Sequence, residues 1–259
     1  MARVNSRVTV FLLALGAIVL SMIAPKTPAQ ATGVDPAAVE ILQRMTKYVS
    51  ILEQFSVHTE NTLEDRLESG QRIDINVSAN VVVSRPNKLR AERVGELINQ
   101  VFYYDGVSLT LFKPADGVYA TQPAPGTIEE LLDYVREGLG MDIPVSDLVY
   151  RNAFAILMEN VHTAAVMGKA VIGGVTCHHL AFSRPDVDFQ VWVADGNQPL
   201  PCKYVVTDTS TPEMISTVSM MSNWNVAPAV TDTDFKFVAP KEAKPINFMP
   251  LEKTSGFGR

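Results

Sequence analysis

The chain has 259 residues, of which 47% are hydrophobic, with 22 basic against 28 acidic side chains and a net charge of −6. That acidic balance argues against nucleic acid, which needs clustered Lys and Arg, and against adhesion to an anionic membrane surface. The length fits one large β-rich domain or two small ones, and nothing between residues 35 and 240 reads as a linker or a repeat, which favours one domain.

Residues 1–31 read as a cleavable secretory signal peptide. Arg3 and Arg7 open it, an apolar run covers residues 8–23, and Ala29-Gln30-Ala31 forms a small-x-small cleavage site. The run is shorter than the roughly 20 apolar residues of a transmembrane helix. The two arginines are not adjacent, so export in the unfolded state is expected. No Cys follows the run, so no lipid anchor and no stable membrane attachment are expected after cleavage past Ala31. Removing Arg3, Arg7 and Lys26 leaves 19 basic against 28 acidic residues, a mature net charge of −9. The expected organisation is a signal over 1–31, one domain over 32–239 and a Pro-containing tail over 240–259.

The mature chain opens with a helix. Asp35 is an N-cap, Pro36 sits at the first helical position, and Val39, Leu42, Met45, Val49 and Leu52 recur at helical spacing. A strand is expected over 55–67. The apolar period then becomes two: Ile73, Ile75, Val77, Ala79, Val81 and Val83 alternate with polar residues, a strand with one wet face. Strands follow over 88–94, 97–104, 107–112 and 118–121, separated by Asp105-Gly106 and Asp116-Gly117 turns. A helical interlude interrupts them. Thr127 and Glu130 form a capping box before the stripe Leu131, Leu132, Val135 and Leu139, and a second helix is expected over 148–159. Strands resume over 161–172, 175–183, 187–194, 202–208 and 214–224. About eleven strands without strand–helix alternation exclude a doubly wound parallel sheet. The pattern predicts an α+β fold, one strongly curved antiparallel sheet with helices covering one face, ahead of a sandwich.

Cys177 and Cys202 are exported to a compartment that permits disulfides. They fall on the first and third strands of a meander. Next-but-one strands lie about 9–10 Å apart, beyond a disulfide's usual Cα separation of about 4.4–6.8 Å. The spacing therefore weighs against a bond unless the third strand pairs elsewhere.

Catalytic constellations are missing from the sequence. It has no Gly-x-Ser-x-Gly elbow, no phosphate-cradling Gly loop and no His-Glu-x-x-His. His178 and His179 are strand neighbours pointing to opposite faces, which suggests one buried and one exposed histidine rather than a metal pair. The pairs Asp186/Asp188 and Asp232/Asp234 lie in polar turns without the Gly and Glu of a calcium loop. The methionines, Met214 and Met220-Met221 among them, lack a copper-binding spacing and suit packing or a pliable apolar surface. No enzyme activity, cofactor or metal is expected.

One stretch carries a family signature. Gly173-Gly174-Val175-Thr176-Cys177-His178-His179-Leu180-Ala181-Phe182 leads into Asp188-Phe189-Gln190-Val191-Trp192, then Gly196 and Pro199-Leu200-Pro201. With Tyr104-Asp105-Gly106 and Phe235-x-Phe237, this resembles a bacterial family of predicted periplasmic proteins of unknown function, over nearly the whole mature chain. That family is in turn similar to the lipoprotein-carrier superfamily, the LolA and LolB type. The resemblance implies a periplasmic half-barrel holding an apolar cavity on its concave face, under a helical lid. The carrier uses an arginine to gate its lid. Arg90 and Arg93 lie on a comparable strand, but neither matches it, so no gating role is carried over.

A carrier or binder of an apolar ligand (lipid, acyl chain or lipoprotein) is the function this implies. Its cavity would be lined by Phe55, Val57, Ile73, Ile75, Val77, Leu109, Leu111, Leu180, Phe182, Phe189 and Val191 from the sheet. Leu42, Met45, Val49, Leu131, Leu132 and Val135 would close it from the helices. Sheltering a sixteen-carbon chain would contribute on the order of 12 kcal/mol gross, at about 0.8 kcal/mol per methylene, much of it offset by opening the lid and ordering the guest. A carrier should show a cavity above about 300 Å³ between helices and sheet. A filled space would favour the alternative, a periplasmic protein-interaction or envelope-stress sensing module, with the tail bearing Pro245, Phe248, Pro250 and Phe257 as a docking segment. The sequence identifies no particular ligand, partner or oligomeric state.

Overall fold

The computed structural model describes residues 33–248 apart from Pro125 and Asp142. The proposed cleavage residues Ala29 and Ala31, and Pro250 and Phe257 of the tail, lie outside the described residues.

The first helix, α1 (Pro36–Ser50), forms as its sequence dictates. The Asp35 carboxylate accepts the Ala37 N–H at 2.9 Å, and Leu42, Met45 and Val49 are buried. Ala38, rather than Val39, completes the inward stripe. Six strands follow: β1 (Gln54–Arg66), β2 (Arg72–Ser84), β3 (Lys88–Gly95), β4 (Asn99–Tyr104), β5 (Ser108–Lys113) and β6 (Val118–Pro123). They form an antiparallel meander. The second meander is β7 (Thr163–Ile172), β8 (Val175–Arg184), β9 (Val187–Ala194), β10 (Pro201–Asp208) and β11 (Ser216–Asn225). β11 pairs antiparallel with β1, which joins the two meanders into one sheet.

The sheet is mixed and not closed. A two-residue strand, β12 (Lys244–Pro245), pairs in parallel with β6, giving the order β12-β6-β5-β4-β3-β2-β1-β11-β10-β9-β8-β7. The expected wholly antiparallel sheet of about eleven strands is thus corrected by one short parallel strand. The residues that add it belong to the expected tail. Phe248, placed by the sequence reading in a candidate docking tail, packs against the core.

The helical interlude is more broken than its sequence stripe suggests. Helix α2 (Ile128–Asp133) has both halves of the Thr127/Glu130 capping box, but its end loosens into a π-turn over Tyr134–Gly138. A Cβ on Gly138 would sit 3.1 Å from the Tyr134 ring, so the glycine admits that ring. The helix expected over 148–159 shrinks to α3 (Ala153–Met158), preceded by a 3-10 turn at Ser146–Leu148. Val145 enters that turn at φ 60, a left-handed value unusual for a β-branched side chain. Among the described residues, no helix is long and apolar enough to cross a membrane.

The disulfide expectation is also corrected: Cys177 and Cys202 are bonded, with their Cα atoms 7.1 Å apart. They do lie on β8 and β10, with β9 between. Regular alternation from the inward Tyr204 would point Cys202 inward as well. The register between β9 and β10 shifts between Pro201 and Lys203, however, and a bulge there turns Cys202 to the face of Cys177. Both sulfurs then pack with Trp192 in a small cluster separate from the main core.

Candidate functional site

The main core falls into two clusters, each pairing helical with strand side chains. In the first, Leu42 and Met45 of α1 and Leu157 of α3 pack with Val57, Leu180, Phe182, Phe189 and Val191. In the second, Leu131, Leu132 and Val135 pack with Phe55, Leu109 and Tyr104, and Leu111 lies partly buried against them. Val81 and Trp224 touch both clusters.

Between the clusters lies an apolar seam. Val49 of α1 and Val145, Leu148 and Val149 of the helical interlude form one wall; Phe55, Val57, Thr59, Val81, Met221 and Trp224 form the other. The space there is about 40 Å³, room for no more than about three water molecules. This seam is far smaller than the cavity above about 300 Å³ expected of a carrier, because side chains from both sides fill it. A depression of about 320 Å³ exists elsewhere, but Glu159, Asn160, Arg184, Asp186 and their neighbours line it at a polar turn.

Of the residues expected to line a cavity, Val49, Phe55 and Val57 border this seam. Ile75 and Val77 are buried on β2 outside both clusters, and Ile73 beyond them is half-buried. The sequence reading missed Trp224. Its inward turn follows a register irregularity between Ser56 and His58 of β1, where Asn223 of β11 adopts φ 53. Trp224 meets the Phe55 ring at 5.7 Å and donates from Nε1 to the Pro201 carbonyl at 3.0 Å.

Arg85, also unread in the sequence, ties the helical interlude to the sheet. Its side chain is 0% exposed. Nε donates to the Leu52 carbonyl at 3.2 Å, Nη1 to Glu129 Oε1 at 3.0 Å, and Nη2 to the Val149 carbonyl. Burial lowers the Arg85 pKa, and the charge of Glu129 works against that. Arg151 adds a second tie, donating to the Ser50 carbonyl at 3.1 Å and to the Glu53 carboxylate at 3.3 Å.

The remaining candidates have structural partners. His178 and His179 are both half-buried, which corrects the expectation of one buried and one exposed ring. His178 meets Asp195 at 3.0 Å, while His179 stacks on Trp192 with ring centroids 4.0 Å apart. Asp232 pairs with Lys88 at 2.5 Å, and Asp234 caps its turn by accepting from the Thr231 N–H. Among the described residues, no three His, Cys, Asp or Glu side chains gather into a metal-binding group.

A family model described as predicted periplasmic protein (DUF2092) matches residues 38–249. Among curated proteins, none matches this sequence. Solved structures of similar layout include LprF from Mycobacterium bovis, at TM-score 0.49 and 16% identity over 82% of this chain and 100% of that one. The lipoprotein LppX from Mycobacterium tuberculosis aligns at 0.44 and 16% identity, over 76% and 100%. The MucA/MucB complex from Pseudomonas aeruginosa aligns at 0.42 and 11% identity, over 81% and 63%.

Proposed function

This chain belongs to that family of predicted periplasmic proteins, and we propose that it serves there as a non-enzymatic carrier or binder of an apolar ligand, a lipid, acyl chain or lipoprotein. In this reading the signal over residues 1–31 is removed after export. The sheet curves around the ligand, and α1 with the interlude from Thr127 to Glu159 forms a lid over its concave face.

The observation that carries the proposal is the apolar seam itself. Its two walls belong to different elements, the helices on one side and the sheet on the other, so separating them opens a continuous apolar surface without breaking a β-ladder. The helical wall is built from short pieces, the six-residue α2 and α3 joined by π and 3-10 turns. Such segments open locally at lower free energy than the strands beneath them. Arg85 holds the wall shut through one carboxylate and two carbonyls.

The filled interior favours a second reading, an interaction or envelope-stress sensing module whose core is only a core. Native mass spectrometry of protein purified from the envelope fraction without detergent separates the two. A population heavier by one lipid or lipopeptide supports the carrier. A single apo mass, unchanged after incubation with fatty acids or phospholipid, supports the interaction module.

A further inference from the structure

We propose that Arg93 is a head-group site, so that the ligand class is an acyl-chain lipid with an anionic, carboxylate-type head; this rests on the binder reading above. On β3, Leu89, Ala91 and Arg93 face inward, opposite Val83, Val81 and Ala79 of β2. Val83 and Ala79 are buried, so this row is the apolar inner surface of the sheet. Arg93 puts a guanidinium into it.

Among the described residues that cation has no ion-pair partner. Among the described residues its recorded contact is the Phe102 ring, whose centroid lies 5.9 Å from Cζ. Its cross-strand neighbours, Ala79 and Gln100, are neutral. Glu92, next to it on β3, points to the other face and is taken by Arg90. The buried polar groups nearby on the inner face satisfy one another: Asn61 donates to Thr59 Oγ1 and to the Val77 carbonyl, and accepts from Ser219. Arg85, by contrast, is matched by Glu129.

Arg93 is half-buried and none of its nitrogens is fully buried without a partner, so the guanidinium is open to an entering anion, which would offset the hydration that burial removes. A guanidinium presents paired N–H donors suited to a carboxylate. Burial lowers the Arg93 pKa. From Arg93 the inner face leads across Ala79 to Thr59 and, one inward position along, across Ala91 and Val81 to Val57, so the cation borders the apolar seam. That seam suits the chain of the same ligand, and Gln100 is placed to hydrogen-bond its head.

The test uses two fluorescent probes, dansyl-undecanoic acid and the corresponding dansyl-undecanol, on wild type, Arg93→Gln and Arg93→Lys. Wild type should prefer the acid by about tenfold or more. Arg93→Gln should abolish that preference while leaving alcohol binding unchanged, and Arg93→Lys should keep part of it. Millimolar acetate should not displace the acid. Equal affinity for both probes in wild type, or a preference that survives Arg93→Gln, would overturn the head-group assignment and leave the binder reading standing. Equal loss of both probes in Arg93→Gln with Arg93→Lys unaltered from it would also overturn the assignment, since the role is then structural. Displacement by acetate alone would reduce the site to one for small anions. Failure of wild type to bind either probe would overturn the binder reading and this inference together.

Discussion

Arg85 and Glu129 meet at 3.0 Å across 44 residues of sequence, joining the end of β2 to the first turn of α2. Arg85 is withdrawn from solvent while Glu129 keeps about a quarter of its side-chain exposure. Removing the cation strands the Leu52 and Val149 carbonyls as well as Glu129. Arg85→Ala is expected to destabilise the fold by about 2–4 kcal/mol. Glu129→Gln, which leaves a neutral acceptor in place, should cost about 1 kcal/mol. Urea unfolding of the two variants checks the order, and equal small losses would show that the tie contributes little.

The segment after β11 should detach when one ring is removed. Phe237 lies within 4.9–5.5 Å, centroid to centroid, of Tyr103, Phe112 and Tyr119 on the face away from the two main clusters. Phe237→Ala should cost about 1–3 kcal/mol. It should also expose residues 226–246 to limited proteolysis while the rest of the sheet resists. Uniform proteolysis along the chain would contradict this local role.

Reduction of Cys177–Cys202 opens a loop with a sequence separation of 25. Chain-entropy arguments give about 3.5 kcal/mol for a loop of that size. A Cys177→Ala/Cys202→Ala double variant should lose stability on that order in denaturant unfolding, and a reductant should leave the variant's midpoint unchanged.

His58 should titrate above its ordinary value of 6.5. The Asn80 side-chain oxygen lies 2.8 Å from Nδ1 and Glu60 Oε1 lies 2.7 Å from Nε2. Only the doubly protonated ring donates to both, and those two bonds raise the pKa, Asn80 most, against a smaller lowering by burial. A raised folded pKa adds stability that is fully present below 6.5 and lost as pH rises through the folded value. NMR should place the wild-type midpoint above 6.5, and Asn80→Ala should bring it down. The stability gap between wild type and Asn80→Ala should narrow at alkaline pH.

The regular parts of this fold were legible because their signals are local. The period-two run of β2, the capped stripe of α1 and the Asp-Gly turns each fix their own element. What sequence could not show were breaks in alternation. Cys202 and Trp224 both face opposite to their expected side because bulges intervene, and a bulge depends on pairing with another strand. Arg85 was invisible for a related reason. Its three partners come from Leu52, Glu129 and Val149, and no local pattern announces such a convergence. The apolar residues were foreseen, but whether they surround a space or fill it depends on how closely the helices sit, which periodicity does not encode.

Trp224 offers the most direct test of a seam that opens for an apolar guest, because it lines the seam and touches both clusters. In a Trp192→Phe variant it is the sole tryptophan of the chain, and titration with dibrominated stearate reads contact between bromine and indole. The account predicts saturable quenching of Trp224 at stoichiometric lipid, with no quenching by water-soluble bromide at the same concentration. Unchanged Trp224 emission throughout the titration, with the fold intact, would contradict it.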